Sequence, residues 1–285
     1  SIVLDLVHHF TNPKVGMVQA RWGHLNRDYS MLTRVQSMML DGHFVVEHIA
    51  RNRSGRFFNF NGTAGIWRKS TIIDAGGWQH DTLTEDMDLS FRAQLKGWQF
   101  VYVPDALAPA ELPCEMNSFK SQQFRWAKGS AQTAKKLIPT ILRADIPWKV
   151  KLEVVFHLTD NFAYLFLLAL ALLQLPNMVL RQEMNRPELL LLDVPLFALT
   201  SGSIVLFYLT THRALYGNLW EAITRLPLMM ALGIGLSLNN ARAVLEGLFG
   251  TESEFVRTPK HGVTKNNESW TKKKYRASKE LFSWL

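Results

Sequence analysis

Cysteine is almost absent from this 285-residue sequence, which contains only Cys114. A single thiol excludes intrachain disulfides and any metal site built from several thiolates. No secretory signal is recognisable, because the first residues lack a basic start followed by a short apolar core and a cleavage site. With 47% apolar residues, the chain still has enough material for a substantial buried core.

Charged residues are scarce between positions 152 and 238, where the sequence becomes rich in leucine. Apolar residues dominate 152–175 (24 residues), 189–209 (21 residues) and 226–238 (13 residues). About 20 apolar residues in a helix cross the hydrocarbon core of a bilayer. We therefore expect the first two segments to span a membrane and the third to belong to an interfacial helix.

The net charge of +8 favours an anionic partner or surface. Cytosolic flanks of membrane helices typically carry basic residues, so we expect a membrane protein whose soluble part is cytosolic. We expect no nucleic-acid partner, because no recognition module accompanies the charge. Much of the basic excess flanks the apolar block, at Lys135, Lys136, Lys272, Lys273, Lys274 and Arg276.

Residues 1–150 have the scattered charges of a soluble α/β protein. Strand-like and helix-like patterns alternate there, which predicts a mixed or parallel sheet. The patterns predict helices at 1–10, 28–52, 70–75, 85–96 and 117–137, and strands at 15–20, 57–61 and 100–103.

Thr84, Glu85 and Asp86 lie where a predicted loop becomes a helix. A carboxylate there can reach a pocket above the sheet and act as a general base, which takes the proton from an attacking hydroxyl. The structural alternative is that Thr84 caps the helix and the acids favour its positive end. Asp86 and Asp88 look like a metal-binding pair, but side chains two apart on a helix point about 200° from each other, so we expect no shared metal.

The helix predicted at 117–137 combines three kinds of useful chemistry. Arg125 offers a planar fork of donors that suits a departing diphosphate. Trp126 offers a flat apolar face for a pyranose ring, and Gln122 and Gln123 can bond hydroxyl or phosphate oxygens. The alternative is a solvated basic helix with a half-buried tryptophan.

Two further segments carry groups that suit a sugar or a phosphate. The string FNGT ends in a turn that glycine permits and that exposes backbone N–H groups, and Pro259 and Gly262 keep the string FVRTPK non-helical. The alternatives are an ordinary loop and a juxtamembrane basic loop. The candidate binding residues are Asn61, Gly62 and Thr63 in the first segment and Phe255, Arg257, Thr258 and Lys260 in the second.

Taken together and in this order, the strings FNGTAGIWR, TEDMDLSFRAQLKGW and QQFRWAKG resemble the processive family-2 glycosyltransferases. This family includes cellulose, hyaluronan and chitin synthases. The strings look closest to the cellulose-synthase-like mannan and glucan synthases and their bacterial relatives, and the similarity covers nearly the whole chain. The resemblance implies the C-terminal part of a GT-A domain, the nucleotide-diphospho-sugar transferase fold, followed by transmembrane and interfacial helices.

The resemblance also implies a role for each residue of the catalytic segments. Asp86, with Glu85 beside it, would be the general base. Gln122, Arg125 and Trp126 would be the matching positions of the QxxRW motif, with Arg125 near the nucleotide diphosphate and Trp126 stacked on the terminal sugar of the acceptor. Residues 60–63 would border the acceptor site.

Residues 255–260 would form the gating loop that closes over the nucleotide. Thr258 and Lys260 would then reach the phosphates, and Phe255 would open the motif. Arg257 stands where the family often has valine, so this chain departs from the pattern at one position. The interfacial helix at 219–248 would lead into the loop.

Three parts follow from the resemblance: the C-terminal portion of a cytosolic GT-A domain at 1–148, transmembrane and interfacial helices at 149–250, and a gating-loop segment at 251–285 that leads to a further, truncated membrane helix. In this family the uridine-contacting aspartate and the metal-binding D-x-D precede the FNGT segment, and the sequence contains neither. We therefore expect the ligands of an Mg²⁺ or Mn²⁺ ion to lie upstream of this chain, with none inside it, and we expect the chain alone to be inactive.

The implied protein is a membrane-bound inverting glycosyltransferase, of a bacterial inner or plasma membrane. It would transfer a hexose from a nucleotide sugar, UDP-glucose or GDP-mannose, to a growing β-linked glycan. Two alternatives stay open: a non-processive enzyme that glycosylates a lipid, and a non-catalytic membrane scaffold with a degenerate transferase fold. Product analysis distinguishes the implied enzyme from the first alternative, and an Asp86→Asn variant distinguishes it from the second.

Overall fold

The computed structural model describes residues 1–184, 188, 190–250, 255 and 257–263. Strands and helices alternate up to residue 143, and helices follow. The strands are β1 (Val15–His24), β2 (Gly65–Trp67) and β3 (Gln99–Ala110). The α-helices are α1 (Ile2–Val7), α2 (Met31–Asp41), α3 (His48–Arg53), α4 (Lys69–Asp74), α5 (Glu85–Leu95), α6 (Met116–Arg143), α7 (Trp148–Thr159), α8 (Ala163–Met184), α9 (Leu190–Tyr216), α10 (Leu219–Gly235) and α11 (Ser237–Phe249). Tighter or wider helical turns lie at His8–Thr11, Arg27–Tyr29, Gly42–Glu47 and Asp160–Phe162.

The sheet is mixed and has the strand order β2-β1-β3. β1 pairs in parallel with β3, where Val18 lies opposite Val101, and antiparallel with β2, where Val18 lies opposite Ile66. Residues 15–20 of β1 are buried on both faces, as expected for a central strand flanked by helices. The predictions of a strand at 15–20 and of a mixed or parallel sheet are therefore confirmed.

The prediction of a strand at 57–61 is wrong. The N–H group of Phe58 donates to Gln94 Oε1 at 3.2 Å, and that of Phe60 donates to Ser90 Oγ at 2.8 Å. Side chains of α5 thus satisfy the backbone groups that a neighbouring strand would otherwise pair. The alternation looks strand-like because Phe58 and Phe60 are buried in the core.

The long helix predicted at 28–52 is present, but a π-helical turn at Gly42–Glu47 joins its two α-helical parts, α2 and α3. Ser30 starts α2 with a capping box, in which Ser30 Oγ accepts from the N–H group of Thr33 at 3.2 Å. A Cβ atom on Gly42 would lie 2.5 Å from Phe207 Cε1 of α9. The glycine therefore lets an apolar helix approach the π-helical turn closely.

Two helical stretches, Trp148–Met184 and Asp193–Tyr216, are long and apolar enough to cross a membrane. The first contains the predicted segment 152–175, and the second contains residues 193–209 of the predicted segment 189–209. The third segment, 226–238, lies across the end of α10 and the start of α11, and these two helices form a pair bent by 43° where a single interfacial helix at 219–248 was predicted. The pair fits a broken span as well as an interfacial helix. Of the predicted segment at 251–285, the structure describes residues 255 and 257–263, and the rest lies outside the described residues.

Candidate active site

Asp86 lies in the first turn of α5, directly against the turn that follows Asn61. A Cβ atom built on Gly62 would be 3.0 Å from Asp86 Oδ2, so the carboxylate rests on the glycine. Gly62 and Ala64 have φ angles of +71° and +65°, the left-handed conformation that favours glycine at the first position. The FNGT turn therefore forms the surface beneath the candidate base.

The environment of Asp86 gives its carboxyl group an unusual proton affinity. Burial raises the pKa of Asp86 to about 7, although the hydrogen bond of 2.8 Å from the N–H group of Met87 to Oδ1 acts to lower it. The charge of Glu85 adds to the rise, and that of Arg125 opposes it. A carboxyl group with a pKa near neutrality is well matched to taking up and releasing a proton at physiological pH.

The loop before α5 is joined to α6 by side-chain contacts. The N–H group of Leu83 donates to Gln132 Oε1 at 2.9 Å, and the hydroxyl oxygens of Thr84 and Thr133 are 3.3 Å apart. Thr84 precedes α5, but its side chain makes no capping hydrogen bond, so the capping interpretation is wrong. The hydroxyl contacts the neighbouring helix because Thr84 is buried there.

The charge of Arg125 on α6 acts on Glu85 and Asp86. Burial lowers the pKa of its guanidinium group, and the charges of Glu85 and Asp86 oppose this shift. Gln122, Gln123 and Trp126 are half-buried on the same helix. Within the described part of the chain, no hydrogen bond joins these three to residues 61–63 or 84–86.

Two of the four predicted loop residues lie at Arg125. Arg125 Nη2 donates to Thr258 Oγ1 at 3.4 Å, and its guanidinium carbon lies 4.6 Å from the centre of the Phe255 ring. Lys260 instead donates to the main-chain oxygen of Glu111 at 2.5 Å, and Arg257 is exposed. Thr258 and Phe255 thus contact the guanidinium group of Arg125, whereas Lys260 contacts Glu111, the residue that follows the edge strand β3.

Gln19, which sequence reasoning missed, fixes the FNGT turn from below. Its side chain is fully buried on β1, where Nε2 donates to the main-chain oxygens of Thr63 at 3.1 Å and Ala64 at 3.2 Å. Its Oε1 accepts from the N–H group of Asn61 at 3.2 Å. The available signal was a polar residue inside the apolar run VGMVQA, because a buried polar side chain needs partners.

A polar network on the π-helical turn surrounds the Asn61 side chain. Asn61 lies 3.4 Å from His43 Nε2 and 3.1 Å from His48 Nε2, and His43 Nδ1 lies 2.9 Å from Glu47 Oε2. Burial favours a raised pKa of Glu47, but the hydrogen bond with His43 and the charges of His43 and Arg51 lower it to about 2. Because a π-helical turn breaks the helical spacing, the sequence pattern did not bring these residues together.

Asp88 does not share a ligand position with Asp86. Its carboxylate is fully buried and lies 2.7 Å from Arg92 Nη2 and 3.0 Å from Lys136 Nζ. Among the described residues, no group of three or more histidine, cysteine or acidic side chains could hold a metal ion.

Comparison with known proteins gives the family. Residues 1–236 match the family model described as glycosyl transferase family group 2. The chain belongs to this family.

The chain is 34% identical over 265 residues to glucomannan 4-beta-mannosyltransferase 7 of Arabidopsis thaliana, and this alignment covers 91% of this chain and 45% of that protein. Over 268 residues it is 35% identical to glucomannan 4-beta-mannosyltransferase 2 of the same plant, with 92% of this chain and 48% of that protein covered. Over 138 residues it is 49% identical to the probable glucomannan 4-beta-mannosyltransferase 4 of Oryza sativa subsp. japonica, covering 48% of this chain and 25% of that protein.

These matches confirm the resemblance to family-2 glycosyltransferases and, within them, to the mannan-synthase-like branch. They also confirm the α/β GT-A fold class, which the mixed sheet and the apolar helices of this chain fit. The chain spans about half the length of the curated relatives that it matches over most of its own length, 45% and 48% in the two Arabidopsis proteins.

Proposed function

We propose that this chain forms the acceptor-side part of the active site of a membrane-bound inverting glycosyltransferase. The protein adds a hexose from a nucleotide sugar to a growing β-linked glycan. The observation that carries the proposal is the position of the Asp86 carboxylate, which rests on Gly62 and has a pKa of about 7 beside the charge of Arg125. A structural acid at a helix N-terminus needs neither the glycine turn nor the raised pKa.

The proposed reaction uses these groups in one displacement step. Asp86 takes the proton from the acceptor hydroxyl, whose oxygen bonds to the anomeric carbon while the bond from that carbon to the diphosphate oxygen breaks. Attack opposite the leaving group inverts the anomeric centre. The guanidinium of Arg125 neutralises the departing diphosphate, and Thr258 at 3.4 Å from Nη2 is within reach of the same anion.

The sugar-binding groups surround this base. Asn61, Gly62 and Thr63 border the acceptor, and the face of Trp126 stacks on its terminal sugar. Gln122 and Gln123 bond hydroxyl or phosphate oxygens. Phe255, Arg257 and Lys260 belong to the loop that covers the nucleotide. The half-buried positions of the α6 side chains and the fixed FNGT turn support these assignments.

The proposed organisation keeps three parts: catalytic residues 1–148, membrane and interfacial helices at 149–250, and a loop segment at 251–285. The catalytic part faces the cytosol of a bacterial inner or plasma membrane, as the basic flank at Lys135 and Lys136 favours. An Mg²⁺ or Mn²⁺ ion would help to neutralise the donor diphosphate, and the family resemblance places its ligands outside this chain. GDP-mannose is the favoured donor over UDP-glucose, because the matched relatives are named mannosyltransferases.

Incubation of radiolabelled GDP-mannose or UDP-glucose with membranes that carry the complete gene product tests the proposal. We expect GDP-mannose to label a β-linked polymer, Asp86→Asn to abolish labelling, and Asp105→Asn, at an exposed position on β3, to leave it unchanged. Label that is extracted with organic solvent as a single sugar on lipid favours the non-processive alternative. Cellular function that survives Asp86→Asn favours the scaffold. The chain alone, given Mg²⁺ or Mn²⁺, should show no turnover.

A further inference from the structure

Glu111, the residue after β3, holds the end of the candidate loop through its carboxylate. It accepts hydrogen bonds from three successive N–H groups, those of His261 at 3.0 Å, Gly262 at 3.0 Å and Val263 at 3.2 Å. Gly262 has a φ angle of +63°, a left-handed conformation in a segment whose N–H groups converge on one anion. Hydrogen bonds to a charged acceptor are the stronger kind, so this contact fixes both position and direction.

The surface that carries Glu111 is itself rigid. Leu112, the next residue, is buried, and both its N–H group and its carbonyl oxygen bond to the side chain of Asn26, at 2.8 and 2.9 Å. On the loop side, Val263 is fully buried, and Lys260 donates to the main-chain oxygen of Glu111 at 2.5 Å. The loop end is therefore seated in the fold.

The same short segment reaches Arg125 at its other end. Thr258 is buried and accepts from Arg125 Nη2, and three positions later His261 donates to Glu111. Thr258 thus lies between two fixed points, the guanidinium of α6 and the carboxylate after β3. Without the hydrogen bonds to Glu111, the hydroxyl of Thr258 would no longer be held at Arg125, because a single hydrogen bond of 3.4 Å does not hold a loop.

We propose that Glu111 is a positioning residue for the transfer reaction: its carboxylate holds residues 261–263 so that Thr258 stands beside Arg125, where the donor diphosphate binds. This inference rests on the proposed function. Glu111 does not touch the reacting atoms. It sets the geometry of the groups that do, in the way that supporting hydrogen bonds orient a binding site.

Hydrogen exchange of the complete gene product in detergent tests the anchor without reference to activity. In Glu111→Ala we expect the amides of residues 261–263 to exchange about tenfold faster or more, because exchange follows local opening. Amides of β1 should keep their protection, which shows that the fold is intact. Glu111→Gln retains one acceptor oxygen, so the exchange rates of these amides should lie between those of the wild type and those of Glu111→Ala. Asp105→Asn, which removes the same charge from an exposed position on β3, is the matched control and should change nothing.

Initial rates against GDP-mannose concentration test the consequence. A diphosphate contact exists in both the bound donor and the transition state, so its loss should raise KM about tenfold in Glu111→Ala with kcat changed less than about threefold. A general structural defect would instead lower the active fraction, and with it kcat at constant KM. The affinity for GDP, measured by titration calorimetry, should fall in parallel with the rise in KM.

The outcomes are distinct. Unchanged exchange at 261–263 in Glu111→Ala would overturn the anchor, and faster exchange with unchanged KM and GDP affinity would overturn the positioning role. If the wild type transfers no sugar at all, the proposed function fails, while the exchange rates and the GDP affinity still decide the role of Glu111.

Discussion

Thr84 and Gly129 are in direct contact across the candidate active site. A Cβ atom on Gly129 would lie 2.5 Å from Thr84 Cγ2, 2.7 Å from its hydroxyl oxygen and 2.9 Å from its main-chain nitrogen. Gly129 lies four residues after Arg125 on α6, and therefore on the same helix face. The absence of a side chain at this one position lets the segment that carries Asp86 dock on the helix that carries the guanidinium.

The first prediction concerns this contact. Gly129→Ala should lower the free energy of unfolding by about 1–3 kcal/mol, as overpacking of a filled site does. It should also lower the transfer rate by about tenfold or more, because displacement of Thr84 moves the base. Thermal unfolding in detergent and transfer assays in membranes measure the two effects.

Gly233→Ala on α10 is the matched control, since a Cβ atom there would meet nothing within 4 Å. Alanine is the better helix former, so this variant should be as stable as the wild type or slightly more stable. A Gly129→Ala protein with unchanged stability and rate would show that Thr84 and Gly129 are not in contact as described.

The second prediction concerns pH. With a pKa of about 7, Asp86 is protonated in acid and cannot accept a proton, so kcat/KM should rise with pH and level off above about pH 7. The residual rate of Asp86→Asn, if measurable, should lack this rise. A rate that is flat from pH 5 to 8 in the wild type would contradict the role of Asp86 as the base.

The same shift predicts a pH-dependent stability. The folded pKa of Asp86 lies above its ordinary value of 3.8, so the folded state binds the proton more tightly and loses stability as the pH rises from about 4 to about 7. Asp86→Asn removes this loss. The variant should therefore gain in thermal stability relative to the wild type across that interval, and the difference should stay constant above about pH 7.

Local patterns predicted the elements that local residues determine. The apolar run at 15–20 is a strand, the acidic start and glycine end at 85–96 enclose a helix, and the first apolar segment and residues 193–209 of the second fall in the long apolar helices. The pattern failed at 57–61, where Gln94 and Ser90 replace a neighbouring strand. The partners of that segment lie more than 25 residues away, and spacing within a short window does not report them.

The candidate site shows the same division. Turn and helix chemistry pointed to Asp86 and Arg125, and the structure brings their charges together. Gln19 and Glu111 bear no motif, because each acts on backbone groups that any residue could supply. Side chains that support a distant main chain therefore leave little trace in the sequence beyond an unusual polarity at their own position.

The third prediction separates backbone strain from contact with the base. Gly62 and Gly55 have similar φ angles, +71° and +65°, so alanine at either position costs about 1 kcal/mol or more. Only at Gly62 would the added Cβ atom meet Asp86, at 3.0 Å from Oδ2, whereas at Gly55 it meets nothing within 4 Å. Both variants should be destabilised alike, and only Gly62→Ala should lose activity per folded protein. Equal losses of activity would contradict the placement of Asp86 on the turn.

The fourth prediction concerns the support of the FNGT turn. Gln19→Leu leaves the N–H group of Asn61 and the carbonyl oxygen of Thr63 without the bonds that the amide supplies, at a cost of about 1 kcal/mol per lost hydrogen bond. Gln94→Leu is a matched comparison, because Gln94 likewise bonds both backbone groups of Phe58, at 3.2 and 2.8 Å, but away from the turn.

Denaturant unfolding should show a loss of stability for both glutamine variants, since each removes hydrogen bonds from backbone groups. Transfer rates, corrected for the folded fraction, should then differ: Gln19→Leu should raise KM for the glycan acceptor, and Gln94→Leu should not. The reason is that Gln19 bonds the main chain of Asn61 and Thr63 on either side of the glycine beneath Asp86, whereas Gln94 bonds residue 58. An acceptor KM raised equally by both variants would mean that the turn responds to stability alone, and residues 61–63 would lose their place at the acceptor.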